Sequence, residues 1–425
     1  MERKKEWNRP PVVRQLFFDD FSSGIRTEVW RALDEKWASQ NNNGYSEKNC
    51  LYTTRPDVVA AAGGTGGIVV ICSNGDFAAE EGQKRQGGGI VTKRLFGPGL
   101  YETRVKVVPR VGQCSAMWTY YNNWAPTLEK RRYSEIDIEL PHGGDYRRWS
   151  GTTYQNYLDG ERKTARSEVI ESPVPLNDGK WHTLAFEWRT DKAHGDEAVV
   201  WYQDGKEVLR IEEAVPHFTA TFWVASLFQD AIAWLGDPQF ERAYMYVDWV
   251  RISEYDDPVG PGSAEKESKL TFTGCDLGDS PLPETEYLAN AHFLRPAATK
   301  NFKGREICSW ETENGEICEG ALRLNGGGRA SQFIAAQYSG YAFEAEICGK
   351  SKGQVCVYLE YLTGEANRID PQLKPAGRSA ALRLKPGEGS AKGILTIEER
   401  KTEHVRFVIE AAEEAEIREV HLRLV

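Results

Sequence analysis

A chain of 425 residues with a net charge of −10 is too long for one small core, and two or three domains are expected. Acidic and basic residues are interspersed; the lack of a basic stripe argues against a nucleic-acid partner and leaves a neutral polymer compatible. No apolar run approaches the length of a membrane span, so a soluble monomer without a membrane partner is expected.

The chain starts Met1-Glu2-Arg3-Lys4-Lys5-Glu6-Trp7, charged and without an apolar h-region behind it, so no signal peptide is expected in this chain. Residues 14–256 then read as short strands separated by turn signals. Ile68-Val69-Val70-Ile71-Cys72, Arg104-Val105-Lys106-Val107-Val108 and Ala198-Val199-Val200-Trp201-Tyr202 are β-like. Asp204-Gly205 marks a tight hairpin into Val208-Leu209-Arg210-Ile211. Strands at that spacing over about 240 residues fit a large antiparallel sandwich. A Pro- and Gly-containing stretch, Asp257-Pro258-Val259-Gly260-Pro261-Gly262, reads as a linker and places a boundary near residue 260. Twelve of the thirteen tryptophans precede it, and only Trp310 follows. From residue 264 to 425 the texture is again β, with segments such as Phe333-Ile334-Ala335-Ala336 and Val355-Cys356-Val357. The expected fold is therefore all-β, a first large sandwich followed by a second, smaller one.

Eight cysteines, at 50, 72, 114, 275, 308, 318, 348 and 356, include no CxxC pair. A cysteine zinc site is not expected on that spacing. Cys72 and Cys356 read as buried free thiols in strands, and a bridge between Cys308 and Cys318 stays open.

The stretch hardest to explain as plain structure is Tyr133-Ser134-Glu135-Ile136-Asp137-Ile138-Glu139-Leu140. Alternate side chains of a strand face opposite sides, so Glu135, Asp137 and Glu139 share one face and the three aliphatic residues share the other. Three like charges on one face repel, and a face needing only solvation could use Thr, Lys or mixed signs. Paired carboxyls are what glycosidic-bond hydrolysis requires, one to attack or stabilise the sugar cation and one to protonate the leaving oxygen. Glu135 and Glu139 lie roughly 13 Å apart between Cα atoms on a straight strand, whereas a retaining mechanism needs carboxyls about 5–5.5 Å apart. That reading requires a concave strand. The competing readings of the triplet are a solvated strand face or a cation site.

With that motif in view, the first 255 residues resemble the catalytic domain of glycoside hydrolase family 16, the lichenase and laminarinase clan of concave β-jelly-roll glucanases. The likeness is carried by Phe17-Phe18-Asp19-Asp20-Phe21-Ser22, by the run from Thr92 to Val107, by Glu135 to Glu139, and by the pair Trp181–Trp188 and Val247–Ile252. The resemblance implies an endo-acting retaining glycoside hydrolase on β-glucan (β-1,3-1,4 or β-1,3 linkages), with Glu135 as nucleophile, Asp137 assisting and Glu139 as acid/base. It implies a polysaccharide partner, for which an extracellular setting is expected, and no required cofactor. The alternatives are a galactan- or xyloglucan-active hydrolase or transglycosylase of the same family, or a non-catalytic glycan-binding protein. Trp118, Tyr133, Gln155, Phe228 and Trp234 are the candidate substrate-binding residues, since aromatic rings suit the apolar faces of sugars. Asp248 resembles the position of a structural calcium ligand, although one carboxylate does not make a calcium site. Trp181, Trp188, Trp201 and Trp249 read as core. The second module resembles the jelly-roll carbohydrate-binding modules that accompany such enzymes, with Trp310, Tyr358 and Tyr361 weighed between glycan contact and core packing.

Overall fold

The computed structural model of the chain describes residues 6–34, 44–78, 85–229, 232–263, 274–300, 304, 306–334, 340–363, 373–398 and 404–425. Residue 264, where the second module was expected to start, and Ala335 and Ala336 of an expected strand lie outside the described residues.

Two antiparallel layers make the first β unit. The front layer runs, in spatial order, Trp30–Ala32, Gln86–Thr92, Thr221–Leu227, Cys114–Asn122, Tyr133–Leu140, Arg148–Gln155 and Ala165–Glu171. The back layer is built around the long strand Arg242–Tyr255. That strand pairs with Gly99–Lys106 along one edge, and with Ile68–Asn74 and Val13–Asp19 along the other. Beyond Gly99–Lys106 follow His182–Asp191, Asp196–Gln203 and Lys206–Ile211. The hairpin after Gln203 turns through Asp204 (φ 50) and Gly205 (φ 76), the left-handed pair that a two-residue turn of matching twist demands.

Between the layers lies a core to which the front layer contributes Met117, Ile136, Ile138, Leu140 and Trp149, and the back layer Val105, Phe186, Trp188, Val199, Trp201 and Val250. The period-2 alternation of the acidic strand thus does what its sequence requires, with all three aliphatic residues in the core and the acids on the far face. Trp201 also ties the layers together, because its indole Nε1–H donates to the backbone carbonyl of Asp137 at 2.9 Å. It reaches that far because Gly151, paired with Ile138, has no side chain; a Cβ there would stand 2.9 Å from the Trp201 ring. Trp188 and Trp201 are core as expected, whereas Trp181 and Trp249 are half-buried. Trp249 lies on the outer surface of the back layer, beneath Phe18 and the Arg251 guanidinium.

The second β unit has the order Lys374–Arg378, Val355–Thr363, His404–Ala411, Ala321–Phe333, Ala415–Leu424, Ala342–Ser351 and Ser390–Thr396. Ala321–Phe333 spans both halves, pairing with Ala415–Leu424 at its start and with His404–Ala411 at its end. The halves bury Phe343, Ile347, Val420 and Leu422 with Val357, Leu359, Phe407 and Ile409. Trp310 and Tyr361 are core members of this unit, whereas Tyr358 is on the outer side of its strand, covered by the Arg378 guanidinium 5.2 Å over its ring and donating to Glu410 at 2.7 Å. All three are at most 4% exposed, which removes them as glycan contacts. The chain joins the two units closely. Gly260 returns to Phe218 and Gly262 N donates to Thr219 Oγ1 at 2.7 Å, and Cys275–Asp276 adds in parallel to Cys50–Thr53. Arg110, buried to 1% exposure, donates to the Tyr287 carbonyl across the seam and to the Gln239 carbonyl within the first unit.

All eight cysteines are free, including Cys308 and Cys318. Cys72 is buried, whereas Cys356 is half-buried, because its side chain is on the outer side of its strand.

Candidate active site

The register of the front layer fixes what surrounds the acids. Residues directly opposite on neighbouring strands share a face. Glu135 lies between Tyr120 and Tyr154, Asp137 between Trp118 and Thr152, and Glu139 between Ala116 and Ser150. One strand further, Thr221, Trp223 and Ala225 stand opposite Tyr120, Trp118 and Ala116. The acids are therefore flanked by an aromatic and small-residue floor on one side and by hydroxyls on the other. Trp118 and Trp223 stack at 5.1 Å with 24° between planes, within an apolar cluster that also holds Val91, Cys114, Leu227 and Leu235. The Arg31 guanidinium stands 6.0 Å over the Trp223 ring.

At the Glu135 end four tyrosines form a wall. Tyr133 meets Tyr120, Tyr154 and Tyr157 edge-on at 5.6, 6.0 and 5.9 Å, and Tyr154 meets Tyr157 at 4.9 Å. Asn156, at φ 50, turns the chain so that Tyr157 can join them, and its amide donates to the Tyr133 carbonyl at 3.0 Å. Beyond the wall, Trp124 is 69% exposed on the following loop. Its amide donates to Asn122 Oδ1 at 2.7 Å, and Arg131 holds the same oxygen at 2.9 Å.

The three carboxyls form one electrostatic group. Burial raises all three above the ordinary carboxylate range, pushing Glu135 up to about 8 and Glu139 up to about 7. Desolvation penalises the charged form, and neighbouring like charges add to the penalty. Glu135 differs from Glu139 in what opposes that rise. The Tyr133 hydroxyl donates to the Glu135 carboxylate, and the protonated Asp137 carboxyl donates to it as well. Tyr133 remains a donor, since burial and the Glu135 charge hold its own ionisation far above the usual phenol range. Glu139 receives no such hydrogen bond from the described residues. The two donors oppose the rise at Glu135 without cancelling it: burial and the Glu139 charge still push Glu135 up to about 8, against about 7 for Glu139. Two buried glutamates with unequal hydrogen-bond partners thus lie on one strand, four residues apart, with a third carboxyl between them.

The expected substrate-binding residues divide. Trp118 is in the floor beside Asp137, Tyr133 holds Glu135, and the half-buried Trp234 packs on the Trp118–Trp223 cluster from the short helix Ile232–Leu235. Gln155 is corrected: it pairs with Ser134 and so belongs to the face opposite the acids. Phe228 is corrected too, being 6% exposed and stacked on Phe240 at 6.3 Å inside the main core. Asp248 is fully buried, and its charge is met by the Arg104 guanidinium and by the Thr65 amide at 2.7 Å. A guanidinium thus stands where a calcium ion was expected. Sequence reasoning missed Trp223, Tyr120, Tyr154 and Arg31. The alternations Trp118-x-Tyr120 and Thr221-x-Trp223 carry the only signal for the first two, since each places its aromatic on the same face as its neighbours two residues away.

Residues 57–251 match the family model described as glycosyl hydrolases family 16. A β-glucanase of Acetivibrio thermocellus is 31% identical over 125 residues, 29% of this chain and 32% of that protein. A β-glucanase of Bacillus subtilis is 24% identical over 244 residues, 56% of this chain and 86% of its own length. This chain spans about a third of the length of the first of these relatives. Among solved structures, a prokaryotic β-1,3-1,4-glucanase (lichenase) derived from a mouse hindgut metagenome aligns with a TM-score of 0.44 at 20% identity, covering 57% of this chain and 99% of its own.

Proposed function

We propose, from the match of residues 57–251 to the family model of glycosyl hydrolases family 16, that this chain cleaves internal linkages of a β-glucan by a retaining double displacement. Glu135 attacks the anomeric carbon, while Glu139 gives its proton to the leaving oxygen. Glu139 then takes a proton from the water that releases the glycosyl-enzyme. Asp137 donates to Glu135 in the resting site, which favours the ionised nucleophile against the burial that raises it, and can follow its charge as the covalent ester forms and breaks.

The observation that carries this reading is the unequal hydrogen bonding of the two glutamates on one face. Glu135 is served by Tyr133 and Asp137, whereas burial alone acts on Glu139. A nucleophile needs donors to its charge, which Glu135 has and Glu139 lacks, while burial raises both groups and so favours their protonated forms. The Trp118–Trp223 pair and Trp234 offer apolar surface for sugar rings, and Thr152 and Ser150 offer hydroxyls. The β-glucanase relatives support a glucan as the polymer.

The test is reducing-end release from mixed-linkage glucan and from laminarin by the parent and by Glu135→Gln. Loss of several orders of magnitude in kcat, with glycan binding retained, is expected. Near-normal turnover by the variant would refute the assignment.

A further inference from the structure

At the seam between the two β units, far from the acidic strand in sequence, three side chains of the metal-binding kinds converge. Glu419 and His421 lie two apart on the strand Ala415–Leu424 and so project to the same side. His292 comes from the segment that runs alongside this strand, where Tyr287 N donates to the Leu422 carbonyl and Val420 N donates to the Ala291 carbonyl, each within 3.0 Å. That pairing brings His292 level with Glu419 and His421. The candidate ligand atoms of the three all lie within 4.8 Å of one another. The two imidazoles meet edge-on with ring centres 5.3 Å apart.

An ion pair accounts for only part of this arrangement. His421 Nε2 is 2.5 Å from Glu419 Oε1, and His421 Nδ1 is 2.8 Å from Glu286 Oε2. His292 Nδ1 is 3.8 Å from the same Glu419 oxygen, beyond hydrogen-bond reach. It is nevertheless close to the separation between neighbouring ligands of a tetrahedral ion, about 3.3 Å when metal–ligand bonds are about 2.0–2.1 Å. Glu286 occupies the outer position that metal-bound histidines use, accepting from the ring nitrogen that does not face the ion and so fixing the tautomer. Glu286 is itself held in place by the amides of Leu288 at 3.0 Å and Leu422 at 2.9 Å, with Arg423 at 3.8 Å on its other oxygen.

We propose that His292, Glu419 and His421 bind one divalent cation of the zinc class, with solvent as the fourth ligand. Two imidazoles and one carboxylate suit a borderline metal; calcium and magnesium take all-oxygen shells. The ion replaces the proton shared by His421 Nε2 and Glu419, and that proton leaves to solvent. Its structural effect is to fasten the segment carrying His292 to the last strand of the second unit.

The experiment uses the full chain, stripped with chelator and dialysed, then titrated with Co²⁺ and with Zn²⁺. One equivalent of Co²⁺ should develop the visible absorption of a tetrahedral site, Zn²⁺ should displace it, and Zn²⁺ should raise the melting temperature. His292→Ala, at a half-exposed position where the fold is not at stake, and Glu419→Gln should each weaken the affinity about tenfold or more, and Glu286→Gln about tenfold. Calcium should not compete. Absence of saturable binding, unchanged affinity in His292→Ala, or equal competition by calcium would each overturn the proposal.

Discussion

Replacing Glu139 by Gln keeps the shape of the side chain and removes one of three mutually repelling acids, so its effect on stability is calculable from the site. Burial moves the Glu139 carboxyl from 4.5 to about 7. Each pH unit between folded and unfolded values corresponds to about 1.36 kcal/mol, which bounds the cost of the ionised form at about 3 kcal/mol. Glu139 is only half-buried, and water in the cleft screens its charge, so about 1–2 kcal/mol is the expected size. Because the folded value is raised, the fold favours the protonated acid. The group imposes no penalty below the unfolded value of about 4.3, and a growing penalty as pH rises through that value toward 7. The Gln variant should therefore melt about 3–6 °C above the parent near pH 8, with the difference vanishing near pH 4. Thermal melts followed by circular dichroism across that range measure it. A variant no more stable than the parent near pH 8, or a gain of equal size at both ends, would refute the account of the site as a desolvated carboxyl cluster.

The other predictions concern neighbouring contacts. Tyr133→Phe removes the hydroxyl that serves Glu135, so the Glu135 carboxyl should rise further and the acidic limb of the kcat/KM profile should move to higher pH by about one unit. An unmoved limb would mean that Glu135 is not the group titrating there. Trp223→Ala, which empties a 6%-exposed position stacked on Trp118, should cost about 3–5 kcal/mol in urea unfolding and raise KM. Arg104→Ala leaves the fully buried Asp248 without its guanidinium and should destabilise by about 3 kcal/mol. Added calcium should leave the melting temperature of the parent unchanged, because Arg104 already answers that carboxylate; a rise would restore the metal reading of Asp248.

Much of the site was legible where chemistry and local geometry coincide. The alternation of acids with Ile136, Ile138 and Leu140 needs only the period of a strand, and the Asp204-Gly205 hairpin needs only the left-handed preference of its two residues. The aromatic floor was half legible. Trp118 could be suspected from its neighbours, but Trp223 reaches it through pairing between strands about a hundred residues apart, which no local pattern encodes. Gln155 failed for a sharper reason: a position one residue from Tyr154 is on the other face, and register alone decides which of the two faces the acids. Asp248 was read as an isolated carboxylate because its partner, Arg104, comes from the strand beside it. Trp310, Tyr358 and Tyr361 were ambiguous in sequence since aromatic residues serve cores and sugar sites equally well, and only their burial separates the two.

The proposed chemistry turns on which carboxylate becomes bonded to sugar. A 2-deoxy-2-fluoro glucan oligosaccharide bearing a good leaving group should inactivate the enzyme slowly, and peptide mass mapping should place one glycosyl group on Glu135. A label on Glu139, or no covalent adduct from an enzyme that still turns over the unmodified substrate, would contradict the assignment.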